Sequence, residues 1–503
     1  MDPIDGEPQF GEKPLLNTNS RPYITPLDAK AATSAPNSTQ TIFQGSGVQH
    51  SGQGPLIVGG NVNITSNAQP DSKEAVEKCI KALFLTDPSE DRDMLKRKKG
   101  KRAGGTCEWI LNTKELNDWL RLEETEQKSR PNGILWLHGN PGTGKSTMAI
   151  YLAEELSTAF DAMENMTLAY FFCDASFEKR NTATSIIRGL LYQLVQRHRN
   201  LLSNYILPKY KERGDQLFTS FDYLWTIFIA AAADQETGNT TPNLSILITS
   251  RPYPEINEYL QDFMNADLAS FDEARQDINR CITERVDDLA KKKHYTDKVK
   301  REITDLLRDK TEGTFLWVGL ACEELRRKPS KDAIPFLRGI PKGLTSIYKS
   351  LLETAIESET GERMAIQRIL SFVAISFRAL SVLELSEACQ LHQDEPDLDT
   401  RLQYIRDQIA SCRLLVVVYD ENVQLLHQSV RDFLTGSGSG FFIERIEAHA
   451  DAASCCIDNL IKRFHSGNTS STHFLYYAMV YWPEHAFQYW WNMLWGYVKS
   501  IQP

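Results

Sequence analysis

Apolar and polar positions change rhythm several times along this chain. Over residues 1–70 Gly, Ser, Asn, Gln, Thr and Pro dominate and large apolar side chains are sparse, which predicts a disordered tail. From Ser72 to Leu85 apolar residues return at helical spacing, at Ala75, Val76, Cys79, Ile80, Leu83 and Phe84. A second apolar face follows at Trp109, Ile110, Leu111, Leu116, Trp119 and Leu120, so 71–125 is read as a helical linker. Residues 126–260 alternate short apolar runs with amphipathic stretches. Ile134–Leu137, Leu168–Cys173 and Leu244–Pro252, the last ending in a polar tip, read as buried strands, Thr147–Leu156 and Ser185–Gln196 as helices. Such alternation predicts a mostly parallel sheet with a ligand at the carboxyl ends of its strands. Helical patterns dominate after residue 262 and define a helical domain over 261–345. Within 346–435, Leu380–Leu385 turns into a helix, and the runs Leu414–Tyr419 and Val423–His427 flank Asp420-Glu421-Asn422 as a hairpin. Helices followed by a hairpin predict a winged-helix domain. Residues 436–503 begin a second helical domain. Its aromatic-rich stretch Tyr476–Val498 is broken by Pro483, Glu484 and His485, which suits a packed helix and not a membrane span.

Chemistry concentrates where the first strand meets its helix. Gly139-Asn140-Pro141-Gly142-Thr143-Gly144-Lys145-Ser146 is a complete G-x-x-x-x-G-K-S loop, continued by Thr147 into the helix. Glycines let backbone N–H groups converge on phosphate oxygens, and the helix behind points its positive end at the same anion. Lys145 is placed to reach β- and γ-phosphates, and the Ser146 hydroxyl to ligate Mg²⁺. The basic run Lys96-Arg97-Lys98-Lys99-Gly100-Lys101-Arg102 reads first as a solvated loop, with anion binding or nuclear import as alternatives. Hydrophobic residues at 41% and charged residues at 24% are ordinary globular values, and a net charge of −10 leaves no whole-chain footprint for nucleic acid. The nine cysteines form no C-x-x-C pair, which suits a reducing, cytoplasmic setting, and the acidic start carries no secretory signal. The fold class expected is an α/β P-loop NTPase domain followed by helical and winged-helix domains.

Several segments in one collinear order then carry a resemblance. Gly133–Ser146, Thr106–Leu111, Arg188–Leu194, Leu247–Pro252, Gly313–Val318 and His427–Leu434 resemble the motifs of fungal NACHT NTPases, over roughly residues 71–490. The resemblance implies a switch of the STAND class, similar to NOD-like receptors. Such a switch holds ADP when closed, exchanges it for ATP with Mg²⁺, forms homo-oligomers on activation, and acts in non-self recognition and incompatibility cell death. It also implies roles by position. Arg251, at the end of the sensor-1 strand, would report the γ-phosphate. His427 would contact the ADP β-phosphate and lock the closed state. Gly313, Thr314 and Phe315 would lie near adenine.

Two departures stand out. The family pattern places a Walker B strand with an acidic end before the sensor-1 strand. Here Phe221–Phe228 runs into Ile229-Ala230-Ala231-Ala232-Ala233-Asp234-Gln235-Glu236, and a polar turn leads straight to Leu244. Alanine favours helix over strand, so the run is read as helix and the acidic strand as missing; the alternative is a degenerate strand with Asp234 or Glu236 as its acid. Nucleotide binding is expected to survive this loss and hydrolysis to suffer. Downstream of Tyr476–Ala486 no sensor-repeat period is visible. The tail segment 41–64 has Gly-x-Gly steps, amides and β-branched residues and no charge. It reads either as a flexible linker or, by loose likeness to fungal amyloid signalling motifs, as a prion-like link to a downstream effector.

Overall fold

The computed structural model describes residues 73–120, 133–161, 167–233, 244–357, 360–436, 443–466 and 473–501. Segment 41–64 and the acids Asp234 and Glu236 lie outside these residues.

The amino-terminal helices form as their patterns require. Helix α1 (Lys73–Leu83) buries Cys79 and Leu83 completely. Helix α2 (Pro88–Lys99) starts with proline in its first turn behind the cap Asp87, whose carboxylate accepts from Ser89 N–H at 2.8 Å. It stops at Gly100, which takes φ +78° and returns its N–H to Lys96 and Arg97 carbonyls. The basic run is therefore largely helical and not a loop: Lys96 to Lys99 occupy the last turn, where cations complement the carbonyl end. Helix α3 (Lys114–Leu120) buries Leu116 and Trp119 against the next element.

Strand β1 (Ile134–His138) is central, with Leu135, Trp136 and Leu137 buried. Helix α4 (Lys145–Asp161) follows the loop, and α5 (Ala183–Arg197) is capped by Thr182. The alanine run belongs to the helix Phe221–Ala232, which Ala233 N–H closes onto the carbonyls of Ile229 and Ala230. Strands β2 (Ile246–Ser250) and β3 (Met264–Asp267) pair with β1 in parallel, in the order β2-β1-β3, with Trp136 opposite Ile248 and Asn265. Strand β3 escapes a reading by pattern because Met-Asn-Ala-Asp offers one large apolar side chain; only pairing with β1 makes it a strand.

The expected strand Leu168–Cys173 needs correction. Its residues join no ladder among the described residues. Backbone groups of Tyr170 are satisfied instead by the Gln193 side chain of α5, at 3.2 and 2.8 Å. A strand exists only with a hydrogen-bonded neighbour, and apolar composition cannot supply one.

Helices fill most of residues 272–375. Then come β4 (Leu380–Ser381), the helix Val382–Ala388 with a complete Ser381/Glu384 capping box, and the hairpin β5 (Val416–Tyr419) and β6 (Asn422–Leu425). Asp420 and Glu421 turn the hairpin with φ of 47° and 63°, the double left-handed turn that matches strand twist. The sheet order is β4-β6-β5, antiparallel. The last helix, Leu475–Ile501, packs on Arg445–Ser466. No helix of the described residues is long and apolar enough to cross a membrane.

Core side chains tie these parts together. Ile110, Leu116 and Trp119 share one core with Leu135, Leu137, Leu152 and Leu268, while Cys79 and Leu83 share another with Leu191, Leu224 and Phe228. The buried Asp277 carboxylate accepts from Cys107 N–H at 2.7 Å and Trp109 Nε1 at 2.8 Å, fixing the Thr106–Leu111 segment onto the helix Asp272–Lys293.

Candidate nucleotide site

The loop between β1 and α4 has the geometry its glycines allow. Gly142 and Gly144 take φ of +83° and +92°, a region costly for any side chain with a Cβ. Space is tight as well: a Cβ on Gly142 would stand 3.0 Å from Leu316 Cβ, and one on Gly144 3.3 Å from the Phe315 ring, so either neighbour would have to give way. Phe315 N–H donates to Gly142 O at 2.8 Å, so the Gly313–Phe315 segment is held directly on the loop.

Lys145 folds back on its own loop, donating to Gly139 O at 2.7 Å and Asn140 O at 2.8 Å. Burial pushes its ammonium down to about 8, and the charges of Arg251 and Lys99 push the same way against Asp267. Arg251 follows β2 directly. It donates to Tyr253 Oη at 2.7 Å and pairs with Asp432 on the helix Gln428–Thr435. His427 caps that helix through Nδ1, which accepts from Ser429 N–H at 3.2 Å. Burial holds the imidazole down at about 3, helped by Lys99, Arg251, Lys145 and Lys98. It is neutral at physiological pH.

Gly142, Thr143, Gly144, Lys145, Ser146, Thr147, Arg251 and His427 line one cavity of about 1530 Å³. Asn140 and Pro141 face a separate cleft with Thr314 and Tyr348, and Gly139 lies beneath the Lys145 ammonium. Two other contributors come from the basic run, which the sequence reads first as a solvated loop and only second as anion-binding. Lys98 Nζ lies 2.9 Å from Gln424 Oε1 on β6 and 3.5 Å from Asp174 Oδ2, and Lys99 lines the cavity beside it. Desolvation and Lys98 push the Lys99 ammonium below its ordinary value. The signal was present in the basic run, had Gly100 been read as a helix end.

This environment suits a polyphosphate. Burial first, and neighbouring cations second, lower the basicity of Lys145 beside a helix amino-terminus and of Lys99 nearby, and a multivalent anion would relieve both. Gln424 Nε2 and Arg431 Nε are buried on the same cavity without hydrogen-bond partners among the described residues. Phosphates on the loop would bring Mg²⁺ to Ser146, since this ion takes few protein ligands beside phosphate oxygens. No cluster of three or more metal-binding side chains occurs among the described residues.

Comparison with known proteins agrees with this geometry. The family described as nephrocystin 3, N-terminal, matches residues 105–248, the stretch holding the loop, and the GPI inositol-deacylase winged helix domain matches residues 352–443. The vegetative incompatibility protein HET-E-1 of Podospora anserina is 27% identical over 398 residues, which are 72% of this chain and 28% of that protein. The chain is similar to the fungal NACHT NTPases. It spans about 28% of the length of that incompatibility protein. The His427–Leu434 motif falls inside the winged-helix match, and β4-β6-β5 with its helices is the substructure expected there.

Proposed function

We propose that this chain is a nucleotide-operated signalling switch of the NACHT type. It binds ADP or ATP with Mg²⁺ through Gly139–Thr147, and it forms homo-oligomers when ATP replaces ADP. One observation carries the reading: loop residues, Arg251 and His427, distant in sequence, line one cavity. Arg251 ties the nucleotide domain to the winged helix through Asp432, and His427 lines the same cavity from the winged-helix side, so phosphate contacts there would hold the closed form. Helix α2 adds a further tie, because Lys98 meets Gln424 while Lys96 pairs with Glu154 of α4 at 2.6 Å. By likeness to the incompatibility protein, the output would be non-self recognition or regulated cell death in a fungus. Segment 41–64 would pass the signal to a downstream effector, and nine free thiols suit the cytoplasm.

A non-hydrolysing form of this switch is the second reading. The helix through Ala232 supports it, since the acidic strand's place in the sequence is taken by helix. Sedimentation velocity tests the switch. With Mg·ADP the chain is expected to sediment as a monomer, and with a non-hydrolysable ATP analogue as a larger species. Identical distributions with both nucleotides, at saturating concentrations, would remove the switch and leave a nucleotide-binding scaffold.

A further inference from the structure

The hydrogen bonds around His427 leave its proton one place. The residue caps the helix Gln428–Thr435, and Ser429 N–H donates to Nδ1 at 3.2 Å. A backbone N–H can only donate, so Nδ1 meets it with a lone pair. Ser429 Oγ stands 2.7 Å from the same nitrogen. A proton on Nδ1 would face that N–H and leave the donor unpaired at the first turn of the helix. Burial, with the charges of Lys99, Arg251, Lys145 and Lys98, denies the ring a second proton. The single proton therefore sits on Nε2.

A chain of hydroxyls behind the ring supports this arrangement. Ser429 Oγ lies 2.8 Å from Tyr348 Oη, and both side chains are buried. When Ser429 gives its proton to Nδ1, its oxygen is free to accept from the Tyr348 hydroxyl, so the donors run Tyr348, Ser429, His427 in one direction. Burial pushes the Tyr348 phenol up to about 12, which keeps the first proton of the chain in place. Tyr348 comes from the helix Leu344–Ile356, and its ring packs on Phe433 at 5.6 Å. Tyr348 and Ser429 line the smaller cleft with Asn140 and Pro141, whereas His427 lines the large cavity with Lys145 and Arg251. The imidazole stands between the two. Its Nδ1 is taken by the Ser429 side, and Nε2, which bonds no atom among the described residues, is left to the cavity.

We propose that Ser429 and Tyr348 are positioning residues for His427: they fix its proton on Nε2 and present that N–H to the β-phosphate of a bound nucleotide as a neutral donor. The inference rests on the nucleotide reading above and adds two side chains that touch no phosphate themselves. It also sets the chemistry of the contact. Lys145 meets the phosphates as a charge, His427 only as a directed hydrogen bond.

The test is a double-mutant cycle on the full chain, titrated with Mg·ADP, beside nitrogen NMR of histidine-labelled protein. His427→Asn keeps a capping oxygen where Nδ1 stood and lacks the cavity donor, so ADP affinity should fall about tenfold. Ser429→Ala alone should cost at least about threefold. In the His427→Asn background it should cost less than about 1.5-fold, because its effect passes through the imidazole. A Ser429 that served the fold alone would cost the same in both backgrounds. The His427 signal, identified by its loss in His427→Asn, should show Nε2 protonated and Nδ1 bare at neutral pH. Should Ser429→Ala fail to fold, Tyr348→Phe removes a single oxygen and takes its place, with a loss of at least about twofold that also vanishes in His427→Asn. A proton on Nδ1, equal losses in the two backgrounds, or unchanged ADP affinity in folded Ser429→Ala while Lys145→Ala abolishes binding would overturn this inference alone. No ADP binding by the folded wild type would overturn the nucleotide reading together with it.

Discussion

If a nucleotide phosphate lies on the Lys145 ammonium, its affinity must depend on pH in a set direction. In the free protein burial and two neighbouring cations hold this group at about 8. A bound phosphate favours the charged form and raises that value, so binding takes up a proton. With the bound value well above the assay range, the apparent Kd scales as one plus ten to the power of pH minus 8. That factor is about 1.1 at pH 7, about 2 at pH 8 and about 11 at pH 9. Affinity for Mg·ADP should therefore fall about tenfold between pH 7 and 9. Anisotropy of a fluorescent ADP analogue, repeated at fixed ionic strength, reads this directly. Lys145→Arg keeps its charge over the whole range and should flatten the profile while binding persists. A wild-type Kd unchanged between pH 7 and 9 would refute the reasoning, because the ammonium would then not be the phosphate contact.

Three other outcomes are expected. Turnover of ATP should stay far below about 1 s⁻¹, since helix occupies the place of the acidic strand; a rate at or above that scale would show that a catalytic acid is present. Asp432→Asn breaks the pair with Arg251, a contact exposed on the Asp432 side, and should raise the ADP dissociation rate by up to about fivefold in stopped-flow displacement. An unchanged rate would mean that the pair does not hold the closed form. The buried pair His449 and His485, with Nδ1 atoms 2.8 Å apart, is pushed down by burial, and Arg445 and Arg431 add to the effect on His449. The native state keeps both neutral while the unfolded chain protonates near 6.5, so stability is full above that pH and declines as pH falls below it. Urea denaturation followed by tryptophan fluorescence should lose about 4 kcal/mol between pH 7.5 and 5.5, about 1.4 kcal/mol for each of His449, His485 and the likewise neutral His427, and a midpoint constant over that range would count against neutral burial.

Much of the site was legible because its signals are local. The loop requires glycine where φ turns positive, and Gly142 and Gly144 do so. The hairpin announced itself through Asp420-Glu421 between two β-branched runs. What failed depended on partners distant in sequence. Leu168–Cys173 has strand composition but pairs with no strand among the described residues, and Met264–Asp267 lacks strand composition yet pairs with β1. Lys98 reads as surface charge because its partner Gln424 is more than three hundred residues away, and Lys99 because the cavity it lines is built from distant segments. Arg251 and His427 were placed by the order of motifs, not by any local pattern. Their shared cavity appears only in three dimensions.

The most direct test of the nucleotide site is isothermal titration of Mg·ADP into the full chain, beside Lys145→Ala of matched circular dichroism. Lys145 is the ammonium carried by the loop itself, and its replacement leaves the loop glycines in place. Saturable binding near one nucleotide per chain for the wild type, with no measurable heat for Lys145→Ala, is the result predicted. Equal affinity of the two proteins, or no binding by a folded wild-type chain, would contradict the assignment of Gly139–Thr147 as a nucleotide site.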